Sequence, residues 1–248
     1  NTLAQKDVND LINADLDHIT QGVYNLVKTE DQAVQQQVDN NLKVAQHVLD
    51  KNGGISLSDE IISWSATNQF TNETIQITLP KMLVGSDWLG QNTDRSIETA
   101  VVDEVETLIG ETATIFQIIN NDGDMLRVAT TVTNASGERA IGTYIPAVNP
   151  DGTPNPVIET VKKGETYHGR AYVVDDWYLT AYKPFYDSSN NLIGMLYVGV
   201  KLQSIENRVR QAIIDTKVGQ TGYVYVLRGT GEERGYYIIS KDGLRDGE

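Results

Sequence analysis

Two arginines sit inside strand-forming stretches that are otherwise apolar or aromatic. They are Arg127, in Asp124-Met-Leu-Arg-Val-Ala-Thr-Thr-Val132, and Arg170, in Gly164-Glu-Thr-Tyr-His-Gly-Arg-Ala-Tyr172. In an extended chain, alternation groups Met125, Arg127, Ala129 and Thr131 on one face, and His168, Arg170, Tyr172 and Val174 on a face of another strand. Tyr178, Thr180 and Tyr182 share a face of the strand that follows. A guanidinium in such company is costly unless an anion answers it. On one reading, Arg127 or Arg170 grips a ligand carboxylate bidentately. Tyr144, Tyr172, Trp177, Tyr178 and Tyr182 then wall a pocket with apolar sides and polar tips. On the other reading, each arginine pairs with an internal acid and the tyrosines only pack the sheet.

Other chemistries lack their residues. The chain carries no Gly-x-Ser-x-Gly, phosphate-binding loop, His-Glu-x-x-His or dinucleotide fingerprint. Cysteine is absent, which excludes disulfides, thiolate metal sites and a cysteine nucleophile. His18, His47 and His168 are scattered, and Asp122-Gly-Asp124 lacks the spaced ligands of a calcium loop. Asp175 and Asp176 are adjacent on a strand, so they face opposite ways and cannot form a glycosidase pair. The expectation is a binding protein rather than an enzyme, with no catalytic residues, metal or cofactor. Twenty Lys and Arg against 34 Asp and Glu give a net charge of −14. That balance argues against nucleic acid and against lying on an anionic bilayer.

The elements that must hold these side chains can be read in order. At 248 residues, one or two domains are expected, and a hydrophobic fraction of 40% suits a packed core. From Ala4 to Asp50, Val8, Ile12, Leu16, Ile19, Val23 and Leu26, then Val34, Val38, Leu42, Ala45 and Leu49, form one helical stripe. It weakens at Thr29-Glu-Asp31, where a kink is expected, and Gly53-Gly54 ends it. At about 1.5 Å per residue such a helix is about 68 Å long, more than one domain covers. The expectation is therefore a parallel homodimer through this helix, or a projecting stalk.

A short helix from Asp59 to Thr67 and a strand from Glu73 to Leu79, stopped by Pro80, are expected next, then a helix from Ser96 to Ile109. Strands follow at Thr112–Ile119 and Asp124–Val132, with the turn Asn121-Asp-Gly123 between them. The loop Pro150–Pro156 leads to a helix ending at Lys162. Three further strands are expected at Glu165–Asp175, Trp177–Phe185 and Leu192–Lys201, then a helix from Ser204 to Thr216. The fold class is α+β, with the long helix packed on a five-stranded antiparallel sheet. Val218–Leu227 and Gly235–Ser240 then read as the first strands of a second, unfinished module. The expected divisions are 1–55 (long helix), 56–202 (sensor module), 203–217 (connecting helix) and 218–248 (incomplete second module). No run of 18 apolar residues spans a membrane and no signal peptide opens the chain, so it reads as an excised soluble fragment.

Several segments, taken in order, resemble a known family: Thr112-Ala-Thr-Ile-Phe-Gln117, the Asp124–Val132 strand, Ile141-Gly-Thr-Tyr-Ile-Pro146, Pro154-Asn-Pro156 and Gly164–Tyr172. Trp177-Tyr-Leu-Thr-Ala-Tyr182, Ile193-Gly-Met-Leu-Tyr-Val-Gly-Val200 and Arg245-Asp-Gly-Glu248 complete the series. Together they resemble the Cache 3–Cache 2 fusion region of bacterial methyl-accepting chemotaxis receptors. The resemblance implies a periplasmic sensor built of two PAS-like modules, held in the inner membrane only by transmembrane helices outside this chain. It implies a small-molecule ligand at the membrane-distal module and a helix displacement as output. The same modules serve sensor kinases and cyclases. Amino-acid-binding relatives carry Tyr-x4-Arg-x-Trp-Tyr; here Trp177-Tyr178 is present, but Asp175 replaces that arginine and the nearest one upstream is Arg170. Their amine-binding aspartate has no clear counterpart, since Asp187 sits in a turn. A small carboxylate is therefore expected in preference to an amino acid. A structural or adhesive surface protein with a helical stalk is the alternative from another class, and a hydrolase a distant third.

Overall fold

In a computed structural model, residues 2–248 are described, with side chains from Gln5 onward. Helix α1 runs unbroken over Thr2–Lys51. The expected kink at Thr29–Asp31 does not occur, because a gap in the apolar stripe removes packing but leaves every backbone hydrogen bond available. The helix ends where Gly53 (φ 99°) and Gly54 (φ 72°) turn left-handed, with Gly54 N–H donating to Leu49 C=O at 3.0 Å. A Cβ on Gly53 would lie 2.7 Å from the Gly85 Cα, so this joint also needs glycine for close approach.

The strands are β1 (Ile55–Asn68), β2 (Thr74–Val84), β3 (Asp87–Trp88), β4 (Thr112–Ile118), β5 (Met125–Thr130), β6 (Thr143–Ile145), β7 (Tyr167–Val173), β8 (Asp176–Tyr186) and β9 (Leu192–Lys201). They form one nine-stranded sheet in the order β3-β2-β1-β6-β5-β4-β9-β8-β7. The five expected strands are contiguous within it, as β5-β4-β9-β8-β7, and every pairing among them is antiparallel. The addition is β6 and the hairpin β1–β2 with β3. Strand β1 joins β6 in parallel through Thr67↔Thr143 and Asn68↔Tyr144.

Residues 59–67 are thus strand and not helix. Asp59-Glu60 imitates the acidic first turn of a helix, but these residues lie in an irregularity between Leu57 and Ile61. Beyond it, Trp64 and Ala66 are buried while Ser63 and Ser65 are exposed, a period of two. Pro80 does not stop β2. It lies opposite Ile61, at the margin of that irregularity, where a missing N–H is tolerated, and its carbonyl accepts from Gln117 Nε2 at 3.0 Å. Helix α2 is shorter than expected, Val102–Ile109, because Val101 has φ 70° and Asp94 ties Ser96 into a turn.

The central strand β9 is buried from Ile193 to Val200. Met195 and Tyr197 join Phe116, Met125, Ile145, Tyr178 and Tyr182 in a cluster with Val157, Ile158 and Val161 of α3 (Pro156–Lys162). Leu196, Val198 and Val200 face the other way. On that side Leu179 and Thr180 of β8 share a groove with Gln35, Val38 and Asp39 of α1, and Asp39 Oδ1 lies 2.9 Å from His168 Nε2 on β7.

The chain forms two compact units, residues 35–202 and residues 1–34 with 203–248. In the second unit, α1 exposes Val8, Leu11, Ile12, Leu16, Tyr24 and Val27, with Leu11 at 76%. Helix α4 (Leu202–Ile214) is followed by four short strands, paired as Lys217–Val218 with Gly222–Tyr223 and Val226–Leu227 with Tyr237–Ile239. Each pair is a separate two-stranded ribbon. Arg210 of α4 pairs with Asp246, which also accepts from the Ser240 N–H and hydroxyl at 2.7 Å each. Among the described residues no helix is long and apolar enough to cross a membrane.

Candidate functional site

Three chain segments, with Ile145 of β6, line an open cavity of about 500 Å³. The β1–β2 turn gives Gln69 and Phe70, the loop into α3 gives Asn149–Asp151 and Asn155–Val157, and the β7–β8 hairpin gives Tyr167, Arg170, Ala171, Tyr172, Trp177 and Tyr182. No lining residue comes from α1. The size and the aromatic walls with few polar groups suit a small organic ligand.

Strand β8 sets the floor. Tyr182 pairs with Tyr167 on one side and Tyr197 on the other, so three rings stand in a row with centroids 6.0 and 4.9 Å apart. Gly199, two residues further along β9, leaves room for the Tyr197 ring, since a Cβ there would fall 2.1 Å from its hydroxyl. Tyr182 is fully buried and its hydroxyl has no hydrogen-bond partner. Burial raises its pKa well above the ordinary value, with Arg127 acting in the opposite sense.

Arg127 lies behind this floor, wholly buried, with its guanidinium carbon 4.9 Å from the Phe116 ring centre. One nitrogen, Nη1, donates to the Thr143 hydroxyl; Nε and Nη2 have no partner. Burial lowers its pKa, and Tyr182, Tyr197 and Tyr178 act against that. A guanidinium starts so high that it stays protonated. No carboxylate answers the charge among the described residues.

Arg139, equally buried, is the contrast. It forms a fork on Asp103 at 2.7 and 2.8 Å and donates to the carbonyls of Thr130, Ile97 and Asp94. One buried arginine is saturated by the protein; the other is left with its charge unpaired.

The remaining expected residues divide. Arg170, Tyr172 and Trp177 are on the wall; Trp177 is 52% exposed and packs edge-on against Tyr172 at 5.7 Å. Tyr144 and Tyr178 are buried and are not on the wall. Tyr178 instead stacks in the core beneath Lys201, which binds Asp176 at 3.0 Å. Val174 does not share the His168 face: its φ of 60° begins the β7–β8 turn and folds it against the core cluster. Gln69 and Phe70 were absent from the expected site because β1 reads as a helix, which hides the turn. The signal was Asn68-Gln-Phe-Thr-Asn72 between two alternating stretches.

A five-stranded antiparallel core ordered β5-β4-β9-β8-β7, bearing a cavity at its β7–β8 hairpin, has a PAS-like architecture. Residues 1–247 match the Cache 3/Cache 2 fusion domain, and the chain belongs to that family. Among solved structures, the chain is similar to the sensory domain of the Campylobacter jejuni chemoreceptor Tlp3 (CcmL), solved with isoleucine bound. The identity is 16% and the TM-score 0.29, over 45% of this chain and 41% of that one. The match thus spans well under half of that domain. No curated protein sequence matches the chain.

Proposed function

We propose that the chain is the extracytoplasmic sensor region of a transmembrane chemoreceptor, and that residues 56–202 form its membrane-distal sensor module for a small organic carboxylate. The observation that carries this reading is Arg127, a buried cation with two unpartnered nitrogens behind an aromatic cavity. A ligand carboxylate supplies the missing counter-charge, and a bidentate fork satisfies both nitrogens. To reach it, the ligand displaces the Tyr182 ring, whose unpaired hydroxyl then donates to the same carboxylate. Arg170 stands exposed at the mouth and steers the anion inward against the net charge of −14. Occupancy is thereby coupled to β7 and β8, and through the His168–Asp39 contact to α1, whose displacement is the output. Two copies pair in parallel along the exposed stripe of α1. Family membership supports the sensor role.

The test is a thermal-shift screen of small organic acids on the wild type and on Arg127→Met. Ligand at 100 times its Kd stabilises by about 2.7 kcal/mol. A shift in the wild type that Arg127→Met abolishes is the expected result. A carboxylate shift that survives in Arg127→Met sinks the role given to Arg127.

A further inference from the structure

The polar side chains around the cavity are unequally free. Asn149 donates to the Thr153 hydroxyl and accepts from Asn155, while Asn155 caps the Val157 N–H. Asp151 accepts from the Thr153 N–H at 2.9 Å and the Thr153 hydroxyl at 2.6 Å, and these contacts lower its pKa. The Tyr167 hydroxyl donates to the Arg170 carbonyl. Gln69 differs: its terminal amide Oε1 is buried and has no partner.

Gln69 is also held rigidly. Its N–H donates to the Tyr144 carbonyl at 3.1 Å, which ties the turn to β6. The Asn68 side chain accepts from Phe70 N–H and Thr71 N–H, and the Asn68 carbonyl accepts from Asn72 N–H. A rigid turn carrying an unsatisfied amide at a cavity wall is a built recognition group, because a buried polar atom without a partner is costly.

We infer that Gln69 is a specificity-determining residue, and that the ligand is a small hydroxy acid rather than a plain or an amino acid. The inference rests on the carboxylate reading above. Once the carboxylate is taken by Arg127 and Tyr182, the amide of Gln69 needs a hydrogen-bonding group from the rest of the ligand. An ammonium calls for an acid beside it, and the carboxylate on the wall, Asp151, stands on the loop into α3 with Oδ1 held by Thr153, not on the turn that carries Gln69. A hydroxyl is neutral and both donates and accepts, so it satisfies the amide in either orientation. A site built for a hydroxyl rejects the analogue that lacks it, because the amide is then left unpaired.

Calorimetric titration with lactate, propionate and alanine, on the wild type and on Gln69→Leu, tests this. The wild type binds lactate at least about tenfold more tightly than propionate or alanine. Gln69→Leu brings the lactate-to-propionate ratio close to one by weakening lactate alone. A wild type that binds carboxylates without this preference overturns the inference and leaves the carboxylate reading standing. A preference that survives in Gln69→Leu overturns the role of Gln69. Absence of binding by all three acids overturns both readings together. If Gln69→Leu does not fold, the wild-type ratios decide.

Discussion

Arg127 and Arg139 are equally buried, yet their removal has opposite consequences. Arg139 is answered by Asp103, so Arg139→Met takes the bidentate partner from that carboxylate and leaves several carbonyls unpaired. A loss of about 3 kcal/mol is expected from chemical denaturation, as for breaking other buried pairs. Arg127 has no acid to strand, so Arg127→Met relieves an uncompensated charge and leaves stability unchanged or raised. Equal losses at the two positions would show that Arg127 is structurally paired. Asp246 gives a pH dependence. Its hydrogen bonds from Ser240, then the charge of Arg210, hold its pKa below the ordinary carboxylate value. A depressed carboxyl stabilises above its unfolded pKa of about 3.9, and that contribution is lost as pH falls through the lower folded value. Protection of the Ser240 amide, taken relative to its intrinsic exchange rate, should therefore fall below about pH 4 in the wild type, while in Asp246→Asn it is low throughout and insensitive in that range.

At the scale of elements, the joint between α1 and the β2–β3 turn brings backbone against backbone. Gly85 has φ 59°, and a Cβ there would lie 2.7 Å from the Asn52 carbonyl oxygen. Gly85→Ala should cost more than the about 1–3 kcal/mol of left-handed strain alone, read as a lower denaturation midpoint; an unchanged midpoint would mean the joint can shift. The five strands of the PAS-like core were legible because period-two alternation and turns such as Asn121-Asp-Gly123 agree there. The hairpin β1–β2 was not, because Asp59-Glu60 and Pro80 carry local signals that tertiary pairing overrides. Misreading that hairpin removed Gln69 from view. The arginines show the same limit: strand patterning picks out Arg127 and Arg170, but only the fold buries Arg127 without an acid, leaves Arg170 exposed and sets Arg139, which lies in no strand, on Asp103.

At the scale of the molecule, the apolar stripe from Val8 to Val27 is the surface on which two copies should meet. Sedimentation equilibrium should show concentration-dependent dimers that Leu11→Asp with Leu16→Asp abolishes; strictly monomeric wild type at high concentration would reject the pairing. The contact of His168 on β7 with Asp39 on α1 has a consequence in the reverse direction. Linkage is symmetric: if a bound ligand shifts α1, then whatever holds α1 shifts the ligand's affinity by the same factor. Both side chains are about half exposed, which limits the bridge to about 1 kcal/mol, or about a fivefold change in Kd. Asp39→Ala, a substitution outside the cavity, should therefore alter affinity within that bound. A sensor wired this way has its sensitivity set partly by the state of α1, so that whatever constrains this helix would tune what the cavity detects.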